Sequence, residues 1–252
     1  MSWLDADDAT LPEVRAFLDD RPFAILPVGA TEQHGSHLPL STDSLLAKHL
    51  AREIAARSGG LVLPVLPFGY SWTWRDVPGT LTLRFETYLD VVRDLCESLS
   101  RSSVRAVAIV SGHEANRQPL KYALRERLAD RVDIHALTLF YPGLSEILAE
   151  ADSPAWSSGL LHADEVETSL MLAVRPELVQ MQHAVRDYPA APADFGLTVT
   201  TMGDLMDSGV FGDATLATAV KGARWLDLSA ERGASLWRSF LEQHAMWRAG
   251  DG

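Results

Sequence analysis

A chain of 252 residues with 47% hydrophobic content can bury a large core, and its length suits one α/β domain covering residues 1–252. Thirty-four acids against 22 bases leave a net charge of −12, which disfavours nucleic acid and anionic membrane surfaces and favours a small neutral or cationic partner. A single cysteine, Cys96, excludes an internal disulfide. The acidic N-terminal stretch lacks the pattern of a signal peptide, and no apolar run approaches the roughly 18 residues of a membrane span, so a cytoplasmic protein is expected.

Leu11, Val14, Phe17 and Leu18 recur at helical spacing after Thr10, a suitable N-cap, and predict a first amphipathic helix. Residues 23–28 form an apolar run with little alternation, as in a strand covered on both faces. Leu45, Leu46, Leu50 and Ile54 mark a helix that stops at Gly59-Gly60, with His49 read as a packing residue; residues 61–66 follow as a strand that Pro64 pushes towards an edge. The loop 67–83 crowds Tyr70, Ser71, Trp72 and Trp74 together, which suits either a pocket wall or a subunit interface.

Further on, residues 87–102 read as an amphipathic helix and 104–110 as a buried strand that delivers Ser111-Gly-His113 at its carboxyl end, where open α/β sheets gather ligands. A helix over 118–128 and a strand over 134–140 come next, with His135 at the start of the strand and no evident role. Residues 141–161, including Trp156, form a long irregular connection of the kind that often covers a site. A helix over 165–174 ends at Pro176. The Pro-, Gly- and Ala-rich stretch 189–213 has a short strand over 197–201, and a final helix over 215–247 breaks near Gly233. Alternating strands and helices predict an α/β fold with a mostly parallel sheet.

The chemistry concentrates in the loop from Val28 to Asp43, where Glu32, His34, His37 and Asp43 sit among Gly29, Gly35 and Pro39. Carboxylate and imidazole donors in one short loop suit a divalent cation, and an aspartate can bridge two of them; solvated surface residues are the bland alternative. The loop shares Gly-x-x-Glu-Gln-His-Gly-x-His-Leu-Pro-Leu-x-Thr-Asp with the creatininase family of metal-dependent amidohydrolases. Ser111-Gly-His-Glu-Ala-Asn116 is similar to that family's Asn-Gly-His-x-x-Asn, and His162 to Ser169 to its His-Ala-Gly-Glu-x-Glu-Thr-Ser. With Pro78-Gly79-Thr80 and Gly209 to Asp213, the resemblance runs over residues 23–225.

That resemblance implies a three-layer α-β-α sandwich, two divalent ions (zinc first, manganese or iron as alternatives) and hydrolysis of a C–N bond in a small cyclic amide, formamide or peptide-like substrate by a metal-bridging hydroxide. It implies a metal set of Glu32, His34, bridging Asp43, His113 and a fifth ligand. Creatininase itself places a glutamate two residues after the histidine, where this chain has Ala115, so Glu165 is expected as the fifth ligand and Glu114 as a pocket acid with a catalytic part. His162 is expected to carry a proton to the leaving nitrogen, with helix capping as its alternative. Ser71, Trp72, Trp74 and Trp156 are expected to contact substrate; Glu167 and Asn116 support the ligands, and Gln33 braces its loop. Where the family usually has Ser-x-Glu-His, this chain has Ser71-Trp-Thr-Trp74. Relatives are commonly homo-oligomers, often hexamers. Creatinine ring opening, a non-catalytic binding or scaffold protein on the same fold, and a redox or nucleotide-binding protein are the competing readings; the last lacks a Gly-x-Gly-x-x-Gly loop.

Overall fold

The computed structural model describes residues 2–129, 133–154, 156 and 162–244. In chain order the elements are β1 (Trp3–Asp5), α1 (Leu11–Asp20), β2 (Phe23–Val28), α2 (Thr42–Ser58), β3 (Gly60–Val62), α3 (Phe85–Arg101), β4 (Ala106–Ser111) and α4 (Arg117–Tyr122). A wide π-helical turn over Ala123–Leu128 prolongs α4. Then come β5 (His135–Phe140), α5 (Leu144–Glu150), α6 (Glu165–Val174), β6 (Arg186–Asp187), β7 (Gly212–Asp213) and α7 (Ala219–Gln243).

Five parallel strands form the main sheet in the order β1-β3-β2-β4-β5, and β6 pairs antiparallel with β7. Every residue of β2 and β4 is buried, because each face of the sheet carries helices. Phe23 and Ile25 of β2 and Ala106, Ala108 and Val110 of β4 pack against α2, α5, α6 and α7. Leu26, Val28, Val107 and Ile109 face α3 and α4, and Ala24 faces α1. This is the three-layer α-β-α sandwich. After β2 the chain turns to β3 on one side and returns to β4 on the other, so the loops leaving β2 and β4 part and open a crevice at their carboxyl ends.

Several boundaries differ from the sequence reading. The strand expected over 61–66 is confined to β3, and Leu66 alone returns to the sheet as an isolated bridge to Val28, consistent with Pro64 removing a ladder donor. Residues 118–128 are split between α4 and the π-helical turn. The connection 141–161 contains α5, and its residues 155 and 157–161 lie outside the described residues. No strand forms over 197–201, where Leu197 and Val199 are exposed; β1, unforeseen, adds the sheet edge. Helix α7 passes through Gly233 unbroken, since a Cβ there would meet Ile54 Cδ1 at 2.5 Å: the glycine permits close packing on α2. The helix end expected at 247 lies outside the described residues.

Candidate metal centre

Four segments meet in the crevice. The loop after β2 brings Glu32 and His34, the first turn of α2 brings Asp43, the turn after β4 brings His113, and the entry to α6 brings His162 and Glu167; all six are buried. Gly112 makes the approach possible. A Cβ at that position would lie 2.2 Å from the Asp43 carbonyl oxygen, so only glycine lets the β4 turn pass close enough to α2 for His113 to reach Asp43.

Around Asp43 the donors form two sets. His34 Nε2 lies 3.1 Å from Asp43 Oδ1 and 3.7 Å from Glu167 Oε2. His113 Nδ1 lies 3.0 Å from Asp43 Oδ2, and its Nε2 is 3.5 Å from Glu32 Oε2. Glu32, Asp43 and His113 thus offer one three-donor group and His34, Asp43 and Glu167 another, with the ligand atoms of each within 4.8 Å of one another and Asp43 common to both. A third group, Glu32, His34 and His162, overlaps them.

Backbone contacts orient the rings. His34 Nδ1–H donates to the Glu32 carbonyl at 3.0 Å, which leaves the Nε2 lone pair facing the carboxylates. His113 Nε2–H donates to the Tyr70 carbonyl at 3.2 Å, which leaves Nδ1 facing Asp43. Among the described residues, Glu32 Oε2 and Asp43 Oδ2 are buried without an aligned hydrogen-bond donor. Orphaned carboxylate oxygens beside imidazole lone pairs are the donor set of a divalent cation, and unpaired they would be costly.

Without a cation, protons must balance the charge. Burial disfavours the charged form of His34, yet Asp43, then Glu167 and Glu32, hold it at about 10; His113, also opposed by burial, is held at about 9 by Glu32 and Asp43. Burial pushes Glu167 up to about 7 against the pull of His34 and raises Glu32 as well. Asp43 stays well below the carboxylate range: burial would raise it, but His34 and His113 overcome that.

His162 behaves differently. Burial, then the charges on His34 and His113, hold it well below its ordinary value, so it is a neutral imidazole. Gln33 Oε1 accepts from Gly35 N–H at 2.9 Å, which turns the Gln33 amide nitrogen towards His162 Nε2 at 2.7 Å. His162 therefore accepts at Nε2 and carries its proton on Nδ1, 3.6 Å from Glu32 Oε1. Trp74 stacks on the ring at 4.8 Å and shields it.

Not every expected residue reaches the cup. Glu165, expected as a metal ligand, is turned away: its carboxylate accepts from the backbone N–H of Asp152 and Ser153 and pairs with Lys221 Nζ at 2.6 Å. Successive helix residues turn by about 100°, so Glu165 and Glu167 stand roughly 200° apart and only one can face Asp43. That one is Glu167, expected only as support. Glu114 lines the mouth of the cup, but its half-exposed carboxylate pairs with Arg117 at 3.2 Å.

Among the expected substrate contacts, Trp74 lines the cup and Ser71 Oγ lies 3.4 Å from His113 Nε2. Trp72 stacks under Arg75 instead. Trp156 packs on Phe211 at 4.5 Å and donates to the Pro189 carbonyl, one layer behind the cup. Asn116 is fully buried, bridging Gly29 and Tyr70. His37 is bound to Thr168 and kept near 4 by burial and His34, so it joins loop to α6 rather than facing Asp43. Thr73 and Met202 also line the cup; neither carries a sequence signal, and Met202 lies in the Pro- and Gly-rich stretch.

The creatininase profile, described as creatinine amidohydrolase, matches residues 7–237. The chain belongs to the creatininase family. It is 30% identical to creatinine amidohydrolase of Pseudomonas putida over 223 residues, 82% of this chain and 85% of that one. Identity to a mycofactocin precursor peptide peptidase of Mycobacterium ulcerans is also 30%, over 81% of this chain and 79% of the relative. A solved mutant creatininase of Zn–Zn type superposes with a TM-score of 0.78 at 29% identity, covering 95% of this chain and 98% of that one. As a creatininase-family protein the chain is a hydrolase acting on C–N bonds, and its buried donor groups match a family whose solved members bind metal.

Proposed function

We propose that this creatininase-family enzyme is a binuclear metal-dependent amidohydrolase, with Glu32, Asp43 and His113 holding one divalent cation and His34, Asp43 and Glu167 the other. Two three-donor groups that share one buried aspartate carry this reading. Zinc suits the mixed imidazole and carboxylate donors best, with manganese or iron as alternatives. When bound, such a pair lowers the pKa of water towards neutrality and polarises a carbonyl.

The chain's own residues do the rest. His162 presents Nδ1–H to the cup and is placed to pass a proton to a leaving nitrogen, while Gln33 fixes its tautomer and Trp74 its plane. The tetrahedral adduct of an amide collapses only if that nitrogen gains a proton. Thr73 offers a polar group at the lining, and buried Ser71 sits beside His113 behind it. The cup encloses only about 40 Å³, room for ions and water rather than an organic substrate, so Met202, whose N–H donates to the Thr73 carbonyl at 2.9 Å, must withdraw to admit one.

The substrate class is a small cyclic amide, a formamide or a short peptide-like bond. Relatives named for creatinine and for a precursor peptide both fit a C–N bond, and Ala115, where creatininase has a glutamate, argues against creatinine itself. Screening lactams, formamides and short peptides against zinc- and manganese-loaded protein tests the reading. Expected is chelator-sensitive hydrolysis that His162→Gln lowers by about 10²- to 10⁴-fold without loss of metal; hydrolysis unaffected by chelation would overturn it.

A further inference from the structure

A second concavity lies between α4 with its π-helical turn and the ends of β4 and β5, and encloses about 610 Å³. Sites for small organic molecules span roughly 300–1,000 Å³. In a chain of net charge −12 its charged lining is wholly basic: Arg117, Lys121 and Arg125, four residues apart and so aligned along one side of the helix. Three like charges in a row repel one another unless something of opposite sign sits among them.

The protein supplies little of that opposite charge. Arg117 pairs with Glu114 at 3.2 Å and stands 5.3 Å from the centre of the Phe140 ring. Lys121 and Arg125 form no ion pair among the described residues. By contrast Arg127, which faces away from the cavity, pairs with Asp90 at 3.0 Å. Two of the three cations that line the concavity are thus without a carboxylate partner, and the third has one. Thr138 adds a hydroxyl and Phe140 an apolar wall.

We propose that this cavity binds a small organic anion bearing two or more negative charges, a phosphate monoester or a polycarboxylate, held by Lys121 and Arg125 with Arg117 and covered on one side by Phe140. Its occupancy is felt at the metal centre through two contacts. Arg117 shared with the anion is Arg117 drawn from Glu114 at the cup mouth. Buried Ser111 lines the cavity, and its Oγ bonds both the N–H and the carbonyl of His113.

Isothermal titration of the metal-loaded protein tests this, with AMP as the phosphate monoester, tricarballylate as the polycarboxylate and adenosine as the uncharged control. Wild type is expected to bind AMP, tricarballylate or both saturably, more weakly as salt rises, and adenosine not at all. The charge-neutral K121Q/R125Q variant should bind at least about tenfold more weakly, with metal content and Tm unchanged. AMP alone binding assigns a phosphate site, and tricarballylate alone a carboxylate site. No saturable binding, binding equal to that of adenosine, or undiminished binding by the variant, which would put the anion in the cup, overturns the proposal. So does loss of self-association by the variant in sedimentation, which would make this face an interface between copies.

Discussion

Glu165 and Glu167 are both buried, two residues apart on α6, and do unlike things. Glu165 ties Lys221 and the backbone of residues 152 and 153 together, whereas Glu167 reaches His34 and also accepts from Ala163 N–H at 2.6 Å. The family pattern contains both glutamates, and the sequence reading takes Glu165 as the ligand and Glu167 as its support. Which of them faces Asp43 is decided by the rotation of α6, set by Asp164 capping Val166 and Glu167 and by the left-handed turn at Ala163, φ 51°. The two histidines nearest Asp43 make a pH prediction. His34 at about 10 and His113 at about 9 lie above the ordinary 6.5, so in the metal-free protein their protonation stabilises the fold fully below about pH 6.5 and is lost as pH rises through 9 to 10. A cation needs both imidazoles neutral, so protons compete with it. The Tm difference between zinc-loaded and chelated protein should therefore widen from pH 7 to pH 9; a constant difference would show that these histidines do not bind the metal.

At the scale of elements, most of the long periodic helices, both central strands and the three turns that carry the candidate donors are legible in the sequence, because hydrophobic patterning and the positions of glycine act locally. Elements made by tertiary contact were not. β1 has only three residues and exists through its pairing with β3, and the unbroken course of α7 through Gly233 depends on Ile54 of a distant helix. Gly112 joins the two kinds. Its neighbours mark it as a turn, but its necessity comes from the Asp43 carbonyl 2.2 Å from where a Cβ would stand. Gly112→Ala should push the β4 turn away from α2, destabilising the fold by about 1–3 kcal/mol in urea unfolding and weakening metal retention. A variant of wild-type stability that keeps its metal would mean that the turn adapts without moving His113.

Over the whole molecule, the sheet order places its switch between β2 and β4, and the loops that diverge there carry Glu32, His34 and His113. Of the residues expected to hold metal, all but Glu165 therefore converge, and Glu167 stands among them. The expected substrate wall is less complete: Trp74 reaches the cup, Trp72 and Trp156 do not, and Met202 arrives from a stretch without periodicity or motif. Aromatic residues in a loop announce packing, but their direction depends on what the rest of the chain puts beside them.

Metal content per chain, by elemental analysis of protein purified without chelators, bears most directly on the proposed binuclear centre, with Glu167→Gln and Glu165→Gln measured beside wild type. Expected are about two divalent ions in wild type and in Glu165→Gln, and about one in Glu167→Gln. Loss of an ion from Glu165→Gln with both kept by Glu167→Gln would contradict the assignment of ligands, and wild type that neither carries nor takes up zinc or manganese would contradict the metal centre itself.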